Sequence, residues 1–191
     1  MSSNEMIERL VVDVSTNPLD PTLNFNAAIE YEKLNQSTSA VGFYLRAAEY
    51  GIETQPLIAY ASLLRISICM EGQKDRNLTM SNTILQAISF LPARPEAYFL
   101  MSKFYEKSTQ WQESYTFAQL GLMYSEQSMT ELPVDVSYIG SAGLIFQKAV
   151  SAWWIGRKNE SIELLKYLDS ISNLNQTYKI SVKSNLERIT S

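Results

Sequence analysis

The stretch Leu91–Leu122 constrains the fold most, because its apolar residues return at intervals of three and four. This spacing predicts a helix with one buried face over Pro95–Lys107 and a second such helix over Trp111–Leu122. Pro95 suits the first turn of a helix, where its missing N–H loses no hydrogen bond. Polar residues at 108–110 separate the two segments, so we predict a hairpin of two helices.

Small residues return along the chain at fixed distances, as they do in a repeat protein. Ala87 precedes Gly121 by 34 residues, and Ala47 precedes Ala87 by 40, which is the same spacing with six residues inserted. The polar run Gly72–Asn77 can supply that insertion. The combined offset of 74 residues separates three pairs: Tyr31 and Tyr105, Ala40 and Ser114, and Ala47 and Gly121.

The order of small and aromatic positions in the hairpin resembles the tetratricopeptide repeat, a helix hairpin of about 34 residues. The small positions are Ser102, Ser114 and Gly121, and the aromatic ones are Tyr98, Tyr105, Trp111 and Phe117. The resemblance implies an all-α, right-handed solenoid of antiparallel helix hairpins with about ten helices. An unrelated helical bundle is the alternative.

On this frame the chain is one helical-repeat domain. We expect an N-terminal helix (3–20), repeat 1 (21–53), repeat 2 (54–93), repeat 3 (94–124), a loop (125–135), repeat 4 (136–172) and a C-terminal capping helix (175–190). The first helix of repeat 2 is expected over Thr54–Glu71, and that of repeat 4 from Val136 or Ser141. If Val11 and Val12 leave an apolar face open on the first helix, a preceding segment or a second copy would cover it, so a homodimer is one expectation.

A second resemblance concerns the later part of the chain. The segments RPEA, WQESY and AVSAWW, in that order, with NLERI near the end, resemble the repeat region that follows the catalytic domain in some bacterial and viral glycosyltransferase-like proteins. This resemblance implies a helical accessory segment beside a sugar-transfer domain. The chain shows no strand–helix alternation and no Asp-x-Asp pair of the kind that holds a metal and a nucleotide sugar, so it is not the transferase alone.

The residue content argues against catalysis. The sequence has no histidine and one cysteine, Cys69, which excludes zinc sites and Ser-His or Cys-His arrangements. No glycine-rich phosphate loop is present, and the carboxylate pairs Glu30/Glu32 and Glu160/Glu163 are typical of solvated helix faces. Cys69 lies in the apolar run LLRISICM and is predicted to be a core thiol. We therefore expect no enzyme activity, no cofactor and no metal.

Charge and hydropathy restrict the compartment and the partners. The net charge is −4 with Lys and Arg scattered, so we expect neither nucleic acid nor anionic membrane as a partner. The longest apolar run, residues 142–155, is interrupted by Gln147 and Lys148 and is shorter than the roughly 20 residues that span a bilayer. No signal-peptide pattern is present at the N-terminus, and a soluble, cytoplasmic protein is expected.

The remaining candidate for function is a binding surface for a protein or peptide. In such repeats the outward positions of each first helix form the concave face. On this frame these positions are Phe25, Ile29, Glu32, Phe99, Lys103, Glu106 and Trp154, with Gln147 and Ser151 beside Trp154. Two alternatives stay open: the aromatic side chains meet neighbouring helices instead, or the chain is an accessory or scaffolding module of a glycosyltransferase-like enzyme.

Overall fold

The computed structural model describes residues 3–71, 73 and 75–190, which form ten α-helices with no strand among them. This confirms the all-α prediction. In chain order the helices are α1 (Ser3–Thr16), α2 (Pro21–Lys33), α3 (Ser37–Gly51), α4 (Pro56–Cys69), α5 (Asn77–Phe90), α6 (Pro95–Lys107), α7 (Trp111–Leu122), α8 (Ser141–Trp154), α9 (Lys158–Ser170) and α10 (Gln176–Thr190).

The helix boundaries follow local signals in the sequence. Pro21, Pro56 and Pro95 each occupy the first turn of a helix, where a proline costs no hydrogen bond. For this reason α4 begins at Pro56 and is shorter than predicted, whereas α6 and α7 have the predicted bounds. Helix α8 begins at Ser141, the later of its two predicted starts. Gly72 and Lys74, in the predicted insertion, lie outside the described residues.

Three turns between consecutive helices share one geometry. Each turn contains one residue with positive φ. These residues are Asn35 (58°) after α2, Thr109 (55°) after α6 and Gly156 (85°) after α8. In each turn the N–H of the next residue donates to the carbonyl five residues earlier, at 2.8 to 2.9 Å. This pair of features defines the Schellman end of a helix. The shared geometry supports the expectation that three hairpins follow one repeating plan.

The first compact unit contains the described residues up to Pro92 together with Met129–Val136. Within it the helices α1 to α5 pack in chain order, and α2 also contacts α4. Leu10 and Val14 of α1 are buried against α2, whereas Val12 is 61% exposed. The first helix thus buries one apolar stripe and leaves another open.

The second unit contains Ala93–Ser128 and the described residues from Ser137 onward. Helices α6 to α10 pack in chain order, and α6 also contacts α8. Buried serines line the contact: Ser102 Oγ donates to the Ser114 carbonyl at 2.8 Å, and Ser151 Oγ donates to Ser114 Oγ at 2.7 Å. Gly121 lies where an added Cβ would be 2.7 Å from Leu144. The small residues predicted to permit close helix packing therefore lie where the helices meet.

Candidate binding surfaces

Five of the nine residues predicted for this surface are at least partly exposed, whereas Phe25, Phe99, Gln147 and Ser151 are buried. Phe25 is 2% exposed and packs edge-on against Tyr44 of α3. Phe99 is fully buried, with the ring of Tyr138 at 5.5 Å and the ammonium of Lys103 at 5.6 Å from its centroid. Burying a phenylalanine side chain stabilises the folded state by about 1.5–3 kcal/mol, which favours covering these two rings with neighbouring segments. Phe25 and Phe99 are core residues in this structure.

Glu32 of α2 is held by side chains of the next two helices. Arg65 of α4 forms a two-pronged ion pair with it, Nε donating to Oε2 at 3.1 Å and Nη2 donating to Oε1. The hydroxyl of Tyr44 donates to Oε2 at 2.9 Å. The two charged side chains are only 17% and 21% exposed, so the pair is largely withdrawn from water. A single charge within the run LLRISICM is the sequence signal that could have identified Arg65 as the partner of a buried carboxylate.

The carboxylate of Glu32 changes the titration of its neighbours. Burial is the main cause that raises the pKa of Tyr44 above its ordinary range, and the charge and hydrogen bond of Glu32 raise it further. Burial alone would lower the pKa of Arg65, but the hydrogen bond and charge of Glu32 raise it. Burial and Glu32 raise the pKa of the buried Cys69 thiol to about 12. Cys69 is therefore a neutral, unreactive thiol near pH 7, because the thiolate is the nucleophile.

An open cleft of about 440 Å³ lies beside this ion pair, and we call it the Ile29 groove. Ile29 and Val134 provide apolar surface, while Glu32 and Arg65 provide fixed charge. The full lining is Ile29, Glu32, Lys33, Asn35, Arg65, Val134 and Asp135. Two of the predicted surface residues, Ile29 and Glu32, thus lie together in one groove.

Part of the predicted loop forms a wall of this groove. The segment Met129–Val136, here called the strap, contains neither helix nor strand and belongs to the first unit. Leu132 and Val134 pack against the core of that unit, and Arg65 Nη1 donates to the Asp135 carbonyl at 2.7 Å. Along the strap, Leu132, Val134 and Val136 are half-buried or buried, and Glu131, Pro133 and Asp135 are exposed. The chain bends at Pro133 and Val134, so this alternation does not come from an extended, strand-like conformation.

In the second unit, Lys103 and Glu106 lie one turn apart on α6, near Gln147 of α8. Burial raises the pKa of Glu106, although a hydrogen bond from Gln147 and the charge of Lys103 oppose the shift. Burial and the nearby Glu106 raise the pKa of Tyr178 on α10. The side-chain oxygen of Gln147 is buried and has no hydrogen-bond partner among the described residues.

Trp154 is 53% exposed and stacks on Trp111, with ring centroids 5.2 Å apart and planes 16° apart. The adjacent Trp153 is half-buried, and the ammonium of Lys158 lies 4.9 Å from its ring centroid. Neighbouring residues of a helix point about 100° apart, which is why the two indoles have different environments. The stacked pair offers a flat aromatic surface of a kind enriched at interfaces.

A polar cluster surrounds Tyr115, and the sequence pattern does not predict it. The Tyr115 hydroxyl donates to Glu160 Oε1 at 2.9 Å, and Arg157 Nη1 donates to the Tyr115 hydroxyl at 2.9 Å. Lys148 Nζ lies 2.9 Å from the same carboxylate. Burial would raise the pKa of Glu160, but hydrogen bonds from Lys148 and Tyr115 and the charges of Lys148 and Arg157 lower it. The cluster links α7, α8 and α9, so Glu160 is a packing residue and not a freely solvated one.

The described residues contain no group of three or more His, Cys, Asp or Glu arranged to hold a metal ion. Among the helices that the structure describes, none combines the length and apolar character that crossing a bilayer requires. The arrangements above supply apolar surface, fixed charges and hydrogen-bonding groups. Such groups serve recognition.

Comparison with solved structures identifies the fold. MamA matches with a TM-score of 0.67 at 8% identity, over 96% of this chain and 91% of MamA. PilF from Pseudomonas aeruginosa matches with a TM-score of 0.67 at 9% identity, over 96% of this chain and 77% of PilF. YrrB, a TPR protein with an unusual peptide-binding site, matches with a TM-score of 0.63 at 12% identity, over 95% of this chain and 86% of YrrB.

The likeness to these structures shows that the chain has a tetratricopeptide-like helical-repeat fold, as the repeat pattern predicted. No family model matches the sequence, and no curated protein is similar enough in sequence to count as a relative.

Proposed function

We propose that this tetratricopeptide-like chain is a non-enzymatic interaction module that binds a protein or peptide segment on the exposed faces of its first helices. The Ile29 groove carries the proposal, because an open cleft of about 440 Å³ sets apolar surface beside the fixed Glu32–Arg65 pair. Apolar contacts supply binding energy, and fixed polar groups orient the ligand. Helices preform the site, so little ordering entropy is lost on the side of this chain.

The proposal includes a second surface in the second unit, formed by Lys103, Glu106 and Trp154. The exposed indole of Trp154 suits an apolar or aromatic anchor, since such anchors dominate binding energy at interfaces. Lys103 and Glu106 supply one charge of each sign. This surface is proposed independently of the Ile29 groove.

A random peptide library displayed on phage tests the proposal directly. Enriched peptides are synthesised, and their Kd values are measured by fluorescence anisotropy against the wild-type chain and two groove variants, Ile29→Asp and Lys33→Glu. The side chain of Lys33 is 60% exposed, so its replacement changes the groove without unfolding the chain. Ile52→Asp is the matched control, because Ile52 is 53% exposed and does not line the groove.

We expect groove peptides to bind the two groove variants about tenfold more weakly or worse, which corresponds to about 1.4 kcal/mol, and to bind Ile52→Asp as they bind the wild-type chain. Failure to enrich any peptide, or peptides that bind every variant equally, would refute the Ile29 groove as the site. Peptides that respond instead to Trp154→Ala would assign binding to the surface of the second unit.

The resemblance to glycosyltransferase-associated repeats supports a second proposal, an accessory or scaffolding role beside a sugar-transfer enzyme. A strand-rich transferase encoded next to this chain, and its co-purification with the chain, would support that role. The homodimer, the cytoplasmic location and the exclusion of nucleic acid stay predictions from the sequence.

A further inference from the structure

We propose that a second copy of this chain docks on it through two different helices, with the outer face of α1 on one copy packed against the outer face of α10 on the other. This contact uses neither the Ile29 groove nor the surface around Trp154. It covers an exposed apolar residue on each helix and brings side chains of opposite charge together. The self-association expected from the sequence thereby acquires a defined surface.

Helix α1 carries a branched apolar side chain on the face turned away from its neighbour. Leu10 and Val14 are buried in contact with α2, and Val12 lies midway between them in the sequence. Successive residues of a helix are about 100° apart, so Val12 points about 160° away from both buried residues. For this reason Val12 is 61% exposed.

Helix α10 has the same arrangement. Val182 is fully buried in the core of the second unit, and Ile180, two residues earlier, is 62% exposed. The two side chains again point about 160° apart around the helix. Single exposed apolar residues are common on protein surfaces, so the charges around Val12 and Ile180 decide what can cover them.

The two helices carry opposite charge. Helix α1 contains three acidic residues and one basic residue, whereas α10 contains three basic residues and one acidic residue. These are Glu5, Glu8, Asp13 and Arg9 on α1, and Lys179, Lys183, Arg188 and Glu187 on α10. Two α1 helices repel each other across a shared face, and so do two α10 helices, but α1 attracts α10. Salt screens charges more than about 10 Å apart, so this local attraction prevails over the net charge of −4 on each copy.

An antiparallel alignment places an ion pair beside the apolar contact between Val12 and Ile180. Glu8 precedes Val12 by four residues, and Lys183 follows Ile180 by three. In antiparallel helices these two positions fall at the same end of the contact, about 4.5–6 Å from its centre. The side chains of Glu8 and Lys183 are exposed, and neither forms an ion pair with another residue that the structure describes. Both are therefore available to a second copy.

A contact between two different helices leaves α10 of one copy and α1 of the other uncovered. Copies therefore join head to tail, and the average assembly grows with concentration. One helix face against another buries less than about 1,200 Å² in total, so we expect weak association with a Kd on the order of 0.1 mM.

Analytical ultracentrifugation of two complementary variants tests the contact. The first-helix variant is Glu8→Gln with Val12→Gln, and the last-helix variant is Ile180→Gln with Lys183→Gln. All four positions are exposed and glutamine is a good helix former, so both variants should keep the circular dichroism of the wild-type chain. Each variant is measured alone and in an equimolar mixture, at concentrations well below and well above the expected Kd.

The matched control is Glu53→Gln with Leu78→Gln. It also removes one exposed acidic residue and one exposed apolar residue, but it changes neither α1 nor α10. We expect the control to associate as the wild-type chain does.

We expect each complementary variant alone to associate at least about tenfold more weakly than the wild-type chain. In the mixture, the intact α10 of the first-helix variant meets the intact α1 of the last-helix variant. The mixture should therefore form a dimer with the wild-type Kd and nothing larger. A wild-type chain that stays monomeric, a complementary variant that still associates alone, or a mixture that stays monomeric overturns the proposal.

A second measurement needs only the wild-type chain, in case a variant does not fold. Isotopically light and heavy chains are mixed above the expected Kd and treated with a carbodiimide, which couples a carboxyl to an amine with loss of water. Mass spectrometry should find peptide pairs of mixed isotope content that join α1 to α10, with Glu8 coupled to Lys183 among them. Mixed pairs that join only other helices, or no mixed pairs, contradict the contact.

Discussion

Gly121 gives the most direct test of how closely the helices of the second unit approach. A Cβ added to Gly121 would lie 2.7 Å from Leu144 Cδ2 and 2.9 Å from Tyr98 Cβ. The leucine methyl group can rotate away, but the Cβ of Tyr98 moves only with the backbone of α6. Gly42, inside α3, is the matched control, because a Cβ added there meets nothing within 4 Å.

The Gly121→Ala variant should be less stable than the Gly42→Ala variant. Alanine in place of glycine inside a helix stabilises the helix by about 1 kcal/mol, and this gain applies at both positions. At Gly121 the added methyl group overpacks the core, which costs about 1–3 kcal/mol. We therefore expect Gly42→Ala to raise the free energy of unfolding by about 1 kcal/mol and Gly121→Ala to lower it by about 0–2 kcal/mol.

Equilibrium urea unfolding, followed by circular dichroism, measures both changes. A difference of about 1–3 kcal/mol between the variants corresponds to roughly 2–12 °C in Tm for a chain of this size. The m-value should be the same for the two variants, which shows that they unfold over the same surface area. If Gly121→Ala stabilises the chain as much as Gly42→Ala does, the close approach of α6, α7 and α8 at Gly121 is refuted.

Three further predictions follow from single positions. Thr109→Gly should raise the free energy of unfolding by about 1 kcal/mol in urea, because a β-branched residue at φ 55° is strained; an unchanged midpoint would contradict the positive φ. The pKa of Glu106 is raised in the folded state, so ionising this carboxyl lowers the stability of the fold as pH rises from the ordinary pKa of 4.5. The Tm of Glu106→Gln should therefore rise relative to that of the wild-type chain between pH 4 and 7. A constant Tm difference between the two chains over this range would refute the prediction. Cys69 should react with iodoacetamide at pH 8 far more slowly in the native chain than in guanidinium, and equal rates would show that the thiol is not buried.

Local signals explain why helix positions could be predicted so closely. The three- and four-residue spacing, the prolines at 21, 56 and 95 and the small residue Gly121 act within a few residues of the chain, so they can be identified without knowing the fold. The candidate surface was less predictable. Ile29, Glu32 and Trp154 are at least partly exposed, as a binding role requires, but the sequence could not show that Phe25 and Phe99 would be covered.

The contacts of Arg65 and of the strap also could not be predicted from the sequence. The sequence placed Arg65 in an apolar helix and residues 125–135 in a loop, yet neither pattern contains the distance from Arg65 to Glu32 or to Asp135. Those contacts join positions 33 and 70 residues apart. They depend on which faces of the helices meet.

The sequence by itself determined the helical class, the hairpin spacing and the absence of histidine-based chemistry, because periodicity and composition are properties of the chain alone. Tertiary structure decided the division into two compact units, the buried Glu32–Arg65 pair and the position of the strap on the Ile29 groove. The physical reason is that burial and ion pairing depend on neighbours from distant parts of the chain, whose arrangement minimises exposed apolar surface and unpaired charge together.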